Sequence, residues 1–418
     1  MTDSLSSLFK SKAEFIDSWI DRKSDSLVLP FYSSADIRDS GYKATCIDLN
    51  LFPAGFNNLC SNFAVLAARS VKEAIPKYLE GKPFENVLIF PEAHTRNTFY
   101  NENLLSLKNV LIAAGLNVEI AAVGEIADSE NPELLTSSNQ KIKLCGIKRE
   151  NNRITGRNGE KFDWILLNND LAEGKIERLE NLEQPVLPHQ CFGWHSRKKS
   201  QFFKCYEKII KEFAEEFDID PWLLYAPHEV VREVDFNSES SRKEVADTVE
   251  KLLADIKIKF EKYEISEIPH IFIKNDVGTY GMGIMVVNSP DQVVNMNRKA
   301  RNKMAIGKGN IPIKSVVVQE AVPTRSVTEN YVSEPVIYMV ENKIIGSFLR
   351  LNTEKGAVDN LNARGMSFNQ YCALHPVENP VECNCTNETQ MFYWTLAKLA
   401  AIAAGHEFEL VCGKNKAL

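Results

Sequence analysis

The chain has no run approaching the roughly 20 apolar residues that a bilayer-crossing helix needs. It also opens without a secretory signal: Met1 to Phe9 is Ser-rich and lacks a basic stretch followed by a long apolar one. A helical membrane protein is thereby excluded and a cytoplasmic location expected. Excess positive charge is missing too, since the formal net charge is −7. Without a broad basic field, neither nucleic acid nor an anionic membrane is expected as a partner, and any phosphate site must be local. Internal repeats and low-complexity tracts are absent. The nine cysteines follow no framework spacing, so free thiols in a reducing compartment are expected. Cys383 and Cys385, in VECNCTNE, have no second CxxC or nearby histidine pair to complete a zinc tetrahedron, and read as a surface loop.

What is present is an ordinary globular composition, 44% apolar and 25% charged, over 418 residues, enough for two or three domains. ENVLIFP (Glu85 to Pro91) reads as a buried strand, Asn101 to Gly115 has helical spacing and a glycine stop, and NVEIAAVG (Asn117 to Gly124) reads as the next strand. Strand, helix, strand predicts a parallel sheet; Lys141 to Asp170 then reads as short strands joined by a polar Asn-Asn turn, with FDWILLNN (Phe162 to Asn169) buried. The proline-bearing EQPVLPHQ (Glu183 to Gln190) marks a change of domain, giving expected units at 1–190 and 191–418. Two amphipathic helices follow, Ser196 to Phe217 and Arg242 to Phe260; from His270 the pattern turns β-rich, and Trp394 to Leu410 is an apolar helix.

The chemistry is concentrated in HIFIKNDVGTYGMGIMVV, where an apolar strand ends in Lys274 and leads through Gly278, Thr279, Tyr280, Gly281 and Gly283 to another strand. Glycines let backbone amides approach phosphates, and a lysine adds charge. The order GxxGxG between two strands is neither a Walker A loop nor a dinucleotide fingerprint. KSVVVQEAVPT then gives a strand ending in Gln319-Glu320, a candidate for adenine or ribose. A hairpin from Glu334 ends at Arg350, placed to hold a transferring phosphoryl group. In AVDNLNARG, Asp359, Asn360 and Asn362 offer the hard oxygens that Mg²⁺ takes alongside phosphate.

Further candidates lie earlier. His94, Thr95, Arg96 and Asn97 sit beyond the carboxyl end of a predicted parallel strand, where open α/β sheets bind ligands, and Arg96 could pair with a substrate carboxylate. Asn57 and Asn58, in PAGFNN, form a second such loop. Arg197, Lys198 and Lys199 open a helix, where cations oppose the helix dipole unless an anion is near. Arg298, Lys299, Arg301 and Lys303 read as a solvated helix face.

Taken together, the lysine and glycine-rich loop, the strand ending in Gln-Glu, the arginine closing a hairpin and the asparagine-bearing loop resemble the ATP-grasp superfamily. FIKNDVGTYGMGIMVV, NRKARNKM, VVQEAVPT and DNLNARGM resemble in particular the bacterial ATP-grasp-type glutamate–cysteine ligases. DLNLFPAGFNNL, FPEAHTRNTFY, LNNDLAEG and GWHSRKKSQFF extend the resemblance over most of the chain. The resemblance implies an α/β fold: an N-terminal Rossmann-like parallel-sheet domain of the pre-ATP-grasp kind, then a two-lobed α+β ATP-grasp domain. It implies L-glutamate, L-cysteine and ATP as substrates, Mg²⁺ or Mn²⁺ as the metal, and leaves homo-oligomerisation open. Lys274 and Arg350 become the catalytic pair. Lys274, with Gly278, Thr279, Tyr280, Gly281, Gly283 and Gln319-Glu320, also becomes the ATP site. Asn57, Asn58, His94, Arg96, Asn97 and Arg197 become the substrate site, and Glu334, Asp359, Asn360 and Asn362 the metal site. Two departures stand out: Asp359 where a glutamate is expected, and Arg364 in place of a proline. Val336 also stands where the wider superfamily pattern has an arginine. The alternatives are a ligase with another acceptor amine, and a nucleotide-binding regulator without turnover.

Overall fold

The computed structural model describes residues 1–60, 63–79, 81–94, 96–278, 283–306, 312–371 and 388–412. The strand–helix–strand pattern forms as its apolar spacing requires. Asn86–Pro91 lies between parallel neighbours Asn117–Ile120 and Trp164–Asn168, with Val186–Leu187 beyond the latter. Every residue of Trp164–Asn168 is buried, as in a central parallel strand covered on both faces. The crossover helix Thr98–Ala113 begins where the Asn97 side chain accepts the Tyr100 amide at 3.1 Å, a side-chain cap for an otherwise unpaired donor.

A second sheet is wholly antiparallel, in the order His228–Arg232, Ser315–Glu320, Ile271–Asn275, Ile284–Val287. Helix Glu239–Lys262 packs Val245, Val249, Leu252 and Ile256 into the core that also receives Ile271, Ile273, Val316 and Val318.

The third sheet joins the two ends of the chain. Its order is Met366–Gln370, Lys343–Asn352, Tyr331–Val340, Tyr32–Asp39, Ala44–Asn50, all antiparallel, with Val327–Thr328 alongside. The hairpin around Glu341-Asn342 forms at its expected place, with Glu341 left-handed at φ 53°. A cut at residue 190 passes through this sheet, because Tyr32–Asp39 and Ala44–Asn50 precede it and the other strands follow. Alternation along the Tyr331 strand sends Val336, Tyr338 and Val340 to one apolar core, shared with Trp164, and Ile337 and Met339 to the other.

Helix Glu388–Cys412 is buried on most faces, consistent with apolar residues all round it. Among the described residues no helix is long and apolar enough to cross a membrane. The expectation of free thiols throughout is corrected here: Cys191 and Cys412 form a disulfide across 221 residues. Spacing along the chain carries no sign of a pairing that docking of the last helix creates. Cys46, Cys60, Cys145 and Cys205 are free and buried; Cys383 and Cys385 lie outside the described residues.

Candidate active site

Register builds a charged floor on the long antiparallel sheet. Glu334 is opposite Arg350, Asp36 is opposite Val336 on one side and Asp48 on the other, and Arg38, two residues along from Asp36, comes level with Glu334. Arg350 donates to Glu334 at 2.8 Å and to Asp36 at 2.6 Å, while Arg38 pairs with the other Glu334 oxygen. Burial opposes the charge on Arg350, but Asp36 and Glu334 outweigh it and hold the guanidinium protonated. Burial pushes the Asp36 carboxyl up to about 6, with Arg350 pulling the other way. Asp48 stays below its ordinary value despite burial, because Lys199, 3.0 Å away, and Lys274 both favour its charge.

Lys274 stands at the edge of this floor. Its ammonium donates to Gln319 Oε1 at 2.9 Å and to the Ile47 carbonyl at 3.4 Å, and burial pushes it down to about 8. Strand alternation separates the Gln-Glu pair. Gln319, opposite Phe272, shares the Lys274 face, whereas Glu320, opposite Ile271, points into the core behind it. There Glu320 pairs with Lys43, whose ammonium lies 4.1 Å from the centre of the Trp222 ring. The Glu320 carboxylate therefore does not reach the face that carries Lys274. Gly278 and Gly283 are left-handed, at φ 98° and 65°, and a Cβ on Gly283 would come within 2.5 Å of Ile313. Thr279, Tyr280 and Gly281 lie outside the described residues.

Facing the same sheet is the loop that holds Asp359, Asn360 and Asn362. Asp359 Oδ2 accepts the Gly356 amide at 2.9 Å, and Asn360 Oδ1 accepts the Asn362 amide at 3.1 Å. Between this loop and strand Ile284–Val287 lies a cavity of ≈ 350 Å³, lined by Ile284, Val286, Lys303, Lys355, Asp359 and Asn360 among others. Ile284 and Val286 are on the Lys274 face by register. Lys303, read as part of a solvated helix face, is exposed and lines this cavity.

The earlier loops divide. Gly55, at φ 115°, opens the turn Phe56–Asn58, and the Tyr338 hydroxyl donates to the Ala54 carbonyl at 2.6 Å. Asn58 Nδ2 and the Tyr338 hydroxyl both lie close to Gly55, and Asn57 Nδ2 donates to Asn58 Oδ1 at 3.2 Å. Asn97 is occupied as a helix cap, and Arg96 is exposed and paired with Glu125 at 3.3 Å. His94 pairs with Glu92. Arg197 is buried inside the molecule, bonded to both oxygens of Glu407 at 2.9–3.1 Å and to the Leu49 carbonyl at 2.6 Å. Its guanidinium faces the Trp194 and Phe202 rings, a structural setting rather than a substrate-facing one. Glu334 also differs from expectation: with a guanidinium on each oxygen, it presents no free oxygen to a cation.

The motifs did not pick out Asp36, Arg38, Lys43 or Asp48. For Asp36 and Arg38 the one sign is charge at alternate positions in the β-patterned stretch SSADIRD, a pattern equally typical of a solvated face; Lys43 and Asp48 flank or sit singly in ATCIDLN.

The model of one protein family, glutamate-cysteine ligase, matches residues 7–408. The chain belongs to the glutamate–cysteine ligase family. A crystal structure provisionally assigned as a gamma-glutamylcysteine synthetase from Methylobacillus flagellatus KT is 34% identical over 97% of this chain and 96% of that one, with a TM-score of 0.87. D-alanyl-alanine synthetase A from Vibrio cholerae (12% identity, 61% of this chain and 67% of that, TM-score 0.31) and a glutathione synthetase-like effector from Globodera pallida (10%, 88% and 84%, 0.42) are too dissimilar to bear on the argument. No curated protein matches the chain in sequence. This glutamate–cysteine ligase is thus an ATP-dependent ligase of glutathione biosynthesis.

Proposed function

We propose that the ligase works by the ATP-grasp route: the γ-carboxylate of L-glutamate attacks the γ-phosphorus of ATP, ADP leaves, and the amine of L-cysteine displaces phosphate from the γ-glutamyl phosphate. The second and third sheets are read as the two lobes that enclose ATP, and the parallel sheet as the preceding substrate domain. The observation that carries the proposal is the floor itself. Arg38, Arg350, Lys199 and Lys274 face three carboxylates, Asp36, Asp48 and Glu334, so one cationic charge is left over for an incoming anion. Phosphoryl transfer asks little covalent work of a protein; positioning and charge neutralisation supply the rate.

Lys274 and Arg350 carry that neutralisation in this reading, Lys274 toward the phosphates and Arg350 toward the transferring group. Gly278 and Gly283 allow backbone amides to approach the same phosphates. Gln319, on the Lys274 face, is the side chain of the Gln-Glu pair that fits a nucleotide-facing role. Asn57 and Asn58 are the candidates for the glutamate end. His94, Arg96 and Asn97, just beyond the carboxyl end of strand Asn86–Pro91, are the further candidates for an amino-acid substrate.

The donor chemistry of the Asp359 loop fits a divalent cation. Asp359 Oδ1 and the Asn362 side-chain oxygen have no hydrogen-bond partner among the described residues; both side chains are half-buried, and that of Asp359 lines the cavity together with Asn360. These hard oxygens, with Asn360, would hold Mg²⁺ or Mn²⁺. When bound, the ion would neutralise phosphate charge. Glu334 is set aside as a ligand, because Arg38 and Arg350 on its two oxygens would repel a second cation. It orients Arg350 instead.

The test is ADP release by purified protein with Mg-ATP and L-glutamate, with and without L-cysteine, and mass identification of the product. Release that requires both amino acids and yields γ-glutamylcysteine is expected. ADP release with a different amine would overturn the acceptor, and intact ATP binding without release would overturn catalysis.

A further inference from the structure

Arg38 is a buried cation to which the reaction as proposed gives no contact with substrate. Its side chain is 1% exposed, and it addresses three separate partners. Nε pairs with Glu334, Nη1 donates to the Ala357 carbonyl at 2.9 Å, and Nη2 donates to the Asp359 carbonyl at 2.7 Å. The strand therefore reaches across more than 300 residues of sequence to tie the backbone of the asparagine-bearing loop to the carboxylate that orients Arg350.

The rest of that loop is anchored at its far end, where Asn352 Nδ2 donates to the carbonyls of Leu361 and Arg364, each at 3.1 Å. At the near end the Ala357 carbonyl also accepts the Thr324 amide at 2.9 Å. At the Asp359 carbonyl the bond from Arg38 is the one formed among the described residues. Asp359 is the acidic member of the oxygen set beside the cavity. Each partner is served by a different nitrogen of the planar fork; a lysine ammonium carries its three donors on one atom and lacks that spread. A buried pair of this kind adds little net stability over an apolar replacement, because desolvation offsets the attraction. Its effect here is orientation.

We infer that Arg38 is a positioning residue: by clamping the Asp359 backbone to Glu334 it sets the place of the Asp359 and Asn362 oxygens, and so the concentration of divalent cation that the ligase requires. The inference rests on the metal role proposed for this loop, and the experiment keeps the two apart.

In the full-length enzyme, Mg²⁺ is titrated at saturating ATP for the unaltered protein, R38K and D359N. R38K is expected to raise the half-saturating Mg²⁺ concentration about fivefold or more, by losing a geometry that Lys cannot reproduce, with the KM for L-cysteine unchanged. Amide exchange across 356–362, followed without metal or nucleotide, is expected to be slow in the unaltered protein and faster in R38K. Fast exchange there in the unaltered protein would overturn the clamp without recourse to any variant. If R38K does not accumulate folded, R38Q, which keeps an amide donor without the charge, takes its place. A raised Mg²⁺ requirement in D359N with none in R38K removes the inference alone. An unchanged requirement in D359N removes the loop's metal role, and the inference with it.

Discussion

Lys274 illustrates what a single buried cation contributes. Burial pushes it down to about 8 from an ordinary 10.5, with Asp48 opposing and Lys199 adding. Between those two values the unfolded chain holds a proton that the folded chain has released, so the unfolding free energy climbs with pH across that window and is flat below it. Lys274→Met removes the slope: the stability difference, unaltered protein minus variant, is expected to rise between pH 8 and 10.5 in urea unfolding. A difference that stays level would show that Lys274 titrates as an ordinary lysine. The same variant is expected to lower kcat/KM for ATP by about a hundredfold, the order of effect for losing one charge that stabilises a developing anion; unchanged kinetics would remove Lys274 from the nucleotide site. Lys274 could be picked out from sequence because it ends an apolar strand just before a glycine-rich loop. Arg38 and Asp48 could not. A charged residue at every second position of a strand is what solvent also selects, and only the pairing of Tyr32–Asp39 with Tyr331–Val340 turns that stripe inward.

At the scale of elements, periodicity was most legible where one element decides its own shape. The strand Asn86–Pro91, the helix Lys199–Phe217 and the hairpin around Glu341-Asn342 all fall where apolar spacing and turn residues place them. What escaped was the partner of each. The last helix looks from sequence like a plain apolar segment, yet it brings Glu407 to Arg197 and Cys412 to Cys191. Glu407→Gln leaves the Arg197 guanidinium buried without its counter-charge, and should cost about 3–5 kcal/mol in denaturant unfolding. A cost under about 1 kcal/mol would match an exposed pair instead. The disulfide closes a far longer loop, and Cys412→Ser is expected to lower stability by about 2–4 kcal/mol under non-reducing conditions, mainly by freeing the unfolded chain. Reductant should lower the unaltered protein by a similar amount and leave the variant unmoved.

At the scale of the whole molecule, linear order and architecture part company. The sequence places a boundary at the proline-bearing stretch ending at Gln190, but the sheet that bears the charged floor takes Asp36, Arg38 and Asp48 from its two N-terminal strands and Glu334 and Arg350 from its C-terminal ones. A fragment covering 191–418 would expose one long edge of the Tyr331 strand, which is a template for aggregation. It would also leave Glu334 and Arg350 without Arg38 and Asp36. The other fragment, 1–190, would carry the parallel sheet together with the paired strands Tyr32–Asp39 and Ala44–Asn50, the former with its other edge unpaired. Separately expressed, the halves are expected to show neither a cooperative unfolding transition in 191–418 nor ligase activity in either. Co-expressed, they should associate through the missing strand pairing and recover activity, read by ADP release from the co-purified complex. A soluble, cooperatively folding 191–418 with ATP turnover of its own would mean that the N-terminal strands only cover the sheet. Dependence on both pieces would mean that the site exists only once the two ends of the chain have met.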